Sequence, residues 1–216
     1  MNFLALLGWS PGDDREVMAW DEMVEAFTLG RVGRTAARFD RDKLRWMNGV
    51  YIRQLDEDRL YAHLRAWFDE VEHPVAAASE EVIRGLIPLF KERSATLKEL
   101  ADKALFFFEA PTAWGPPKAV KKHLLKGGGL DRLDRVTQVL KDLDDWTEAG
   151  LESCLRALAE GEFEGNLGRV AQPLRMAVAG GPASPPIFVT LSMLGSEETL
   201  SRLQACLSHH QDAAAQ

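Results

Sequence analysis

Leu60-Tyr61-Ala62-His63-Leu64-Arg65-Ala66-Trp67-Phe68-Asp69-Glu70-Val71 sets Leu60, Leu64, Trp67, Phe68 and Val71 at spacings of three and four. Such spacings gather side chains on one face of a 3.6-residue helix and leave the residues between them to water. Outward from this stretch the same rhythm recurs. Ile83, Leu86, Ile87 and Phe90 follow it, as do Leu151, Cys154, Leu155 and Leu158, and then Leu200, Leu203 and Leu207. No comparable stretch alternates with period two. The expected fold is all-α, roughly ten helices on short links, with few strands or none.

The breaks between these stripes carry their own chemistry. Pro11-Gly12-Asp13-Asp14 ends a first helix, and Ser79-Glu80-Glu81 offers a cap and two acids for another helix start. Pro111 to Pro117 reads as a rigid loop, and Gly127-Gly128-Gly129 separates two helices. Gly195-Ser196-Glu197-Glu198 reads as a C-cap glycine followed at once by the next N-cap. Gln211 to Gln216 is expected to be a disordered polar tail. Soft boundaries near 56 and 112 give segments 1–56, 57–112 and 113–210 before the tail 211–216. The apolar opening Met1 to Trp9 has no basic flank, so it is a poor signal peptide and reads as the last turns of a helix begun upstream. No run of the sequence is long and apolar enough to cross a membrane.

The 216 residues carry a net charge of −7, which argues against sequence-independent binding to DNA. Charge is unevenly spread, however. From Arg31 to Arg53, seven basic residues (Arg34 among them) stand against two acids, a net +5. From Lys91 to Lys126, eight basic residues stand against four acids, a net +4. Such asymmetry in an acidic protein favours a directional anionic partner, RNA above all, although solvated helix faces give the same pattern. The two cysteines, Cys154 and Cys206, sit among leucines as small hydrophobes and offer neither a disulfide framework nor a metal-ligand spacing. A reducing, cytoplasmic setting is the default.

Five stretches, in order, resemble the C-terminal part of bacterial-type glutamyl-tRNA synthetases, which are class I aminoacyl-tRNA synthetases. They are Asn2 to Pro11 (NFLALLGWSP), Phe39 to Arg53 (FDRDKLRWMNGVYIR), Thr96 to Leu100 (TLKEL) with Phe106-Phe107-Phe108, Gly168 to Arg175 (GRVAQPLR), and Ser184 to Phe188 (SPPIF) with Leu194-Gly195. The resemblance implies a remnant of the stem-contact domain followed by two small helical anticodon-binding domains. It implies that Arg93, just before the TLKE-like stretch, and Arg175, closing the VAQPLR-like stretch with Gln172, face anticodon bases. The planar fork of arginine suits that task. It implies that Ser184, Pro185, Ile187 and Phe188 line a pocket for splayed bases, where apolar faces and edge-binding polar groups are both needed. Lys43, Arg45 and Asn48 are expected against the tRNA body. The expected partner is tRNA-Glu, bound by a monomer, together with the synthetase's catalytic domain if the chain is a fragment of the enzyme. One departure stands out: Ala179-Gly180-Gly181-Pro182 occupies the loop where the family usually has threonine-glycine, which removes a hydroxyl and adds backbone freedom.

Each of these residues also has a purely structural reading. Arg93 is then a helix-end salt-bridge residue, Arg175 a partner for a nearby carboxylate, and Ser184-Pro185 an N-cap and N1 pair. Ile187, Phe188 and Trp46 are then core. The HIGH and KMSKS signatures of class I synthetases do not occur in the sequence, nor does a Walker-type glycine loop. No catalytic residue, cofactor or metal site is therefore expected in this chain; the resemblance puts ATP and Mg on a catalytic domain outside it. Two other readings stay open: a helical protein-interaction or scaffold module, and tRNA binding without anticodon selectivity.

Overall fold

The computed structural model describes residues 1–33 and 38–214. Arg34 of the first basic window and Ala215 and Gln216 of the tail lie outside these residues. The described residues form eleven α-helices with short 3₁₀ and loop connections, as the helical periodicity requires. Extended pairing among them is limited to an isolated antiparallel bridge between Trp9 and Val32. The chain divides into two compact units, Met1–Lys103 and Ala104–Gln216.

The first unit holds α1 (Asn2–Gly8), α2 (Trp20–Ala26), α3 (Arg41–Gln54), α4 (Glu57–Phe68) and α5 (Glu80–Phe90), and then α6 (Leu97–Ala104), which reaches its end. Helix α4 starts where the Asp56 carboxylate accepts from the Arg59 N–H at 2.8 Å. Its stripe buries Leu60, Leu64 and Phe68 against α5, whose Ile83, Leu86, Ile87 and Phe90 are buried in turn. Each such side chain contributes about 1.5–3 kcal/mol by leaving water. The stripe stops short of the expected Val71, because α4 ends at Phe68 and Val71 lies exposed beyond it. Ser79 caps α5 as expected, accepting from the Val82 N–H. Trp46, expected in the core, is 46% exposed on α3; Met47, one 100° step around the helix, takes the inward place.

The second unit holds α7 (Pro117–Val120), which passes into a π turn over Lys121–Leu125, then α8 (Gly129–Lys141), α9 (Glu148–Glu162), α10 (Leu167–Ala179) and α11 (Ile187–Ala214). Helices α8 to α11 pack around Leu133, Leu140, Leu151, Leu155, Leu174 and Leu191, all sealed from solvent. Inside α11 the backbone leaves the helix at Gly195 (φ 76°, ψ 169°), a conformation that costs glycine little and other residues much. Beyond that break Arg202 is 3% exposed. It bonds the Glu198 carboxylate at 2.6 Å and donates to the carbonyls of Phe106 at 2.5 Å and Val178 at 2.9 Å. The backbone stays helical through Ala214, into the segment expected to be a disordered tail.

Candidate nucleic-acid interface

In the second unit, α10 presents Gln172 and Arg175 three residues apart, so both lie on one side of the helix. The Arg175 Nε donates to the Ser184 hydroxyl at 3.0 Å, and that hydroxyl donates to the Pro185 carbonyl at 2.9 Å. The structure thus brings the VAQPLR-like and SPPIF-like stretches together through the bond between Arg175 and the Ser184 hydroxyl. Thr190 Oγ1 donates back to the Pro186 carbonyl at 3.0 Å, which fixes the loop from the α11 side. Helix α11 begins only at Ile187, so Ser184 and Pro185 are not its N-cap and N1.

The apolar members of the loop differ from the expected open pocket. Pro185 is buried, and Ile187 and Phe188 are 5% and 9% exposed within the core of the unit. Their faces pack on protein, because the start of α11 must cover α9 and α10. Surface is left at partly exposed Gln172, Arg175 and Ser184 and at exposed Pro186.

The Ala179–Pro182 loop is less free than its composition suggests. Gly180 sits in the left-handed region (φ 70°), where a Cβ would come within 2.9 Å of the Pro111 Cβ. Its carbonyl accepts from the Gly115 N–H at 3.0 Å. Glycine is required there by a close approach, and the loop is tethered to the segment around Pro111 to Gly115.

In the first unit, Arg93 closes a single 3₁₀ turn, Lys91–Arg93, and its side chain is exposed. The turn is held from several directions. Its carbonyl at Arg93 accepts from the Lys103 ammonium, Lys91 donates to the Leu55 carbonyl, and the buried Ser94 hydroxyl donates to the Phe90 carbonyl at 2.9 Å. The TLKE-like stretch has a local physical role. The Thr96 hydroxyl accepts from the Glu99 N–H at 3.1 Å, and the Glu99 carboxylate reaches back to the Ala95 N–H at 3.1 Å, a reciprocal cap that starts α6 directly after Arg93.

Lys43, Arg45 and Asn48 have partners within their own unit. Lys43 pairs with Glu16 at 2.5 Å, Arg45 with Glu99, and the Asn48 amide donates to the Ala95 carbonyl at 2.5 Å. Burial pushes the Glu99 carboxyl up, but the Ala95 N–H and Arg45 together outweigh it and hold the group below the usual carboxylate range. These three side chains thus have partners within the unit, Arg45 and Asn48 on the segment around Ala95, where Gly49 allows an approach that a Cβ would tighten to 3.3 Å.

Reading the sequence alone passes over Arg202 and Arg132. Neither belongs to a basic window or a quoted stretch, and only the folded chain shows the backbone carbonyls they satisfy. Among the described residues, no group of three or more His, Cys, Asp or Glu side chains is placed to hold a metal ion. No helix among them is long and apolar enough to cross a membrane.

The described residues thus form an all-helical body in which an arginine-bearing helix is bonded to a proline-rich loop, and comparison with known proteins gives its family. The family described as "Anticodon binding domain" matches residues 59–207, and the chain belongs to that family. It is similar to glutamate–tRNA ligase 1 of Acidithiobacillus ferrooxidans, 42% identical over 206 residues, which cover 94% of this chain and 43% of that protein. The glutamate–tRNA ligase 1 of Alkalilimnicola ehrlichii is 38% identical over 207 residues, 96% of this chain and 43% of that protein. Among solved structures, the glutamate tRNA ligase of Elizabethkingia meningosepticum in complex with its amino acid superimposes with a TM-score of 0.80 at 29% identity, over 96% of this chain and 40% of that one. The chain thus spans less than half the length of these relatives.

Proposed function

We propose that this chain recognises the anticodon of a tRNA, tRNA-Glu by its relatives' names, as the non-catalytic C-terminal part of a glutamate–tRNA ligase. The observation that carries the reading is the Arg175–Ser184 bond, which joins the two family-like stretches of the second unit into one polar edge with Gln172 beside it. A guanidinium already oriented by a hydroxyl loses little freedom when it forks onto a base edge. Arg93, exposed on a well-anchored turn, supplies a second base-reading group from the first unit. Pro185, Ile187 and Phe188 act here as the buried footing of the loop. Lys43, Arg45 and Asn48 meet the tRNA body only by exchanging their present partners. The ATP- and Mg-dependent chemistry of a whole ligase belongs to residues outside this chain, which works as a monomer in the reducing cytoplasm, with both thiols free.

Electrophoretic shift of the chain with tRNA-Glu and with an anticodon-swapped tRNA tests this reading. The cognate tRNA should bind more tightly. Arg175→Ala should remove about 1–3 kcal/mol of affinity for it and most of the discrimination. Equal binding of both tRNAs leaves tRNA binding without anticodon selectivity, and no binding to either favours a scaffold module.

A further inference from the structure

Lys118, Lys121, Lys122 and Lys126 come from one short segment, α7 and the π turn after it. The fold brings Arg132, in the first turn of α8, and Arg169, in the first turn of α10, to the same place. The six cations line one open cleft of about 560 Å³, with Gly127 completing its wall. The four lysines are exposed. Among the described residues, Arg169 alone of the six has an ion pair, a 3.4 Å contact with exposed Glu164.

The placement of Arg132 follows from a proline. Pro173 lies inside α10 and has no N–H, so the Arg169 carbonyl, four residues earlier, loses its helical donor. The Arg132 Nε supplies one at 3.1 Å, and the same guanidinium donates to the Gly127 carbonyl. Arg132 thus directs its hydrogen bonds to neutral carbonyls while its charge stays beside that of Arg169, with neighbouring Asp131 in opposition. Burial, then the charge of Arg169, pulls its proton affinity down. Gly129 is needed for this geometry, because a Cβ there would fall on the His123 and Leu124 carbonyl oxygens and push α8 off the π turn. Six like charges on one concave wall repel one another in a protein of net charge −7. An anion in the cleft relieves that repulsion, and the concavity focuses the field that attracts it.

We propose that this cleft grips backbone phosphates of the bound RNA without regard to base sequence, separately from the base-reading edge at Arg175 and Ser184. The inference rests on RNA being the ligand of the chain. Lysines act as mobile point charges along the wall, and Arg132 and Arg169 form its fixed end. Neutralising phosphates in this way releases counterions, so each cation engaged steepens the loss of affinity with salt.

The proposal is tested by binding of the full chain to tRNA-Glu and to the anticodon-swapped tRNA across a salt series. Lys121→Ala, Lys122→Ala and Lys126→Ala combined should weaken both complexes by the same factor, about tenfold or more at 0.1 M salt. They should also flatten the log-affinity against log-salt slope by about one for each phosphate left without its lysine. The Arg-for-Lys triple variant keeps the charges and should keep the slope, which separates an effect of charge from an effect on folding. If the wild-type chain discriminates anticodons while the alanine variant keeps its affinity and slope, the cleft assignment falls and the base-reading proposal survives. If the wild type binds without discrimination and the alanine variant still flattens the slope, the reverse holds. Absence of any tRNA binding overturns both.

Discussion

Arg175 and Arg202 both project from helices of the second unit, yet their surroundings give them different work. Arg175 is partly exposed and shares a hydroxyl with a surface loop. Arg202 is buried, and two of its hydrogen bonds end on the main-chain carbonyls of Phe106 and Val178. A buried carbonyl stripped of its partner costs about 1–3 kcal/mol. Arg202→Met keeps much of the bulk and removes both bonds. It should lower stability by about 2–4 kcal/mol in urea denaturation, where Arg175→Ala should cost under about 1 kcal/mol. The family-like stretch around Arg175 marked that residue in the sequence, whereas nothing local marked Arg202, which sits in a helical rhythm beside apolar neighbours.

At the scale of elements, the junctions matter more than the helices they join. The reciprocal Thr96–Glu99 cap, the left-handed Gly180 and the Gly195 break each end or start a helix where local chemistry dictates, and the Gly195 and Ser79 signals were legible directly. The glycine run at 127–129 was legible as a separator but not as a packing point. Gly127 and Gly128 have positive φ, whereas Gly129 is needed because α8 lies against the carbonyls of the π turn. Gly129→Ala should therefore destabilise the protein by about 1–3 kcal/mol despite the better helix propensity of alanine, read as a lower melting temperature. A gain in stability would show that the π turn gives way.

Over the whole molecule, titration and burial set the response to conditions. His210 is 8% exposed and lies against Trp114 and His209; burial, then the neighbouring His209, holds it below the ordinary histidine value of 6.5. His123 is lowered as well, by burial and then Lys122. Above pH 6.5 both states are neutral at these sites and stability is at its full value. As pH falls below 6.5 the unfolded chain takes up protons that the folded chain resists, so stability declines until the folded-state values are reached. The urea midpoint should fall on this acid side, before the carboxylates titrate, and His210→Gln should flatten part of the decline. The two thiols report burial independently. Burial pushes the Cys206 thiol up to about 12 and raises Cys154 as well. At pH 8 a disulfide reagent should label Cys154 slowly and Cys206 only on unfolding; rapid labelling of Cys206 in the native protein contradicts its buried position.

The sequence by itself determined the all-α class, the cap at Ser79, the break at Gly195 and the family, because each depends on residues within a few positions of one another or on ordered local stretches. Helical period and capping are short-range physics, readable wherever the spacing is intact. Only the tertiary structure decided that Ile187 and Phe188 face inward, that Arg45 and Asn48 already have partners, and that Arg132 and Arg169 close a lysine-lined cleft. Those outcomes turn on which helix lies across another and which carbonyl a distant proline leaves without a donor. No local pattern carries that information, since it arises only when segments tens of residues apart compete for the same space.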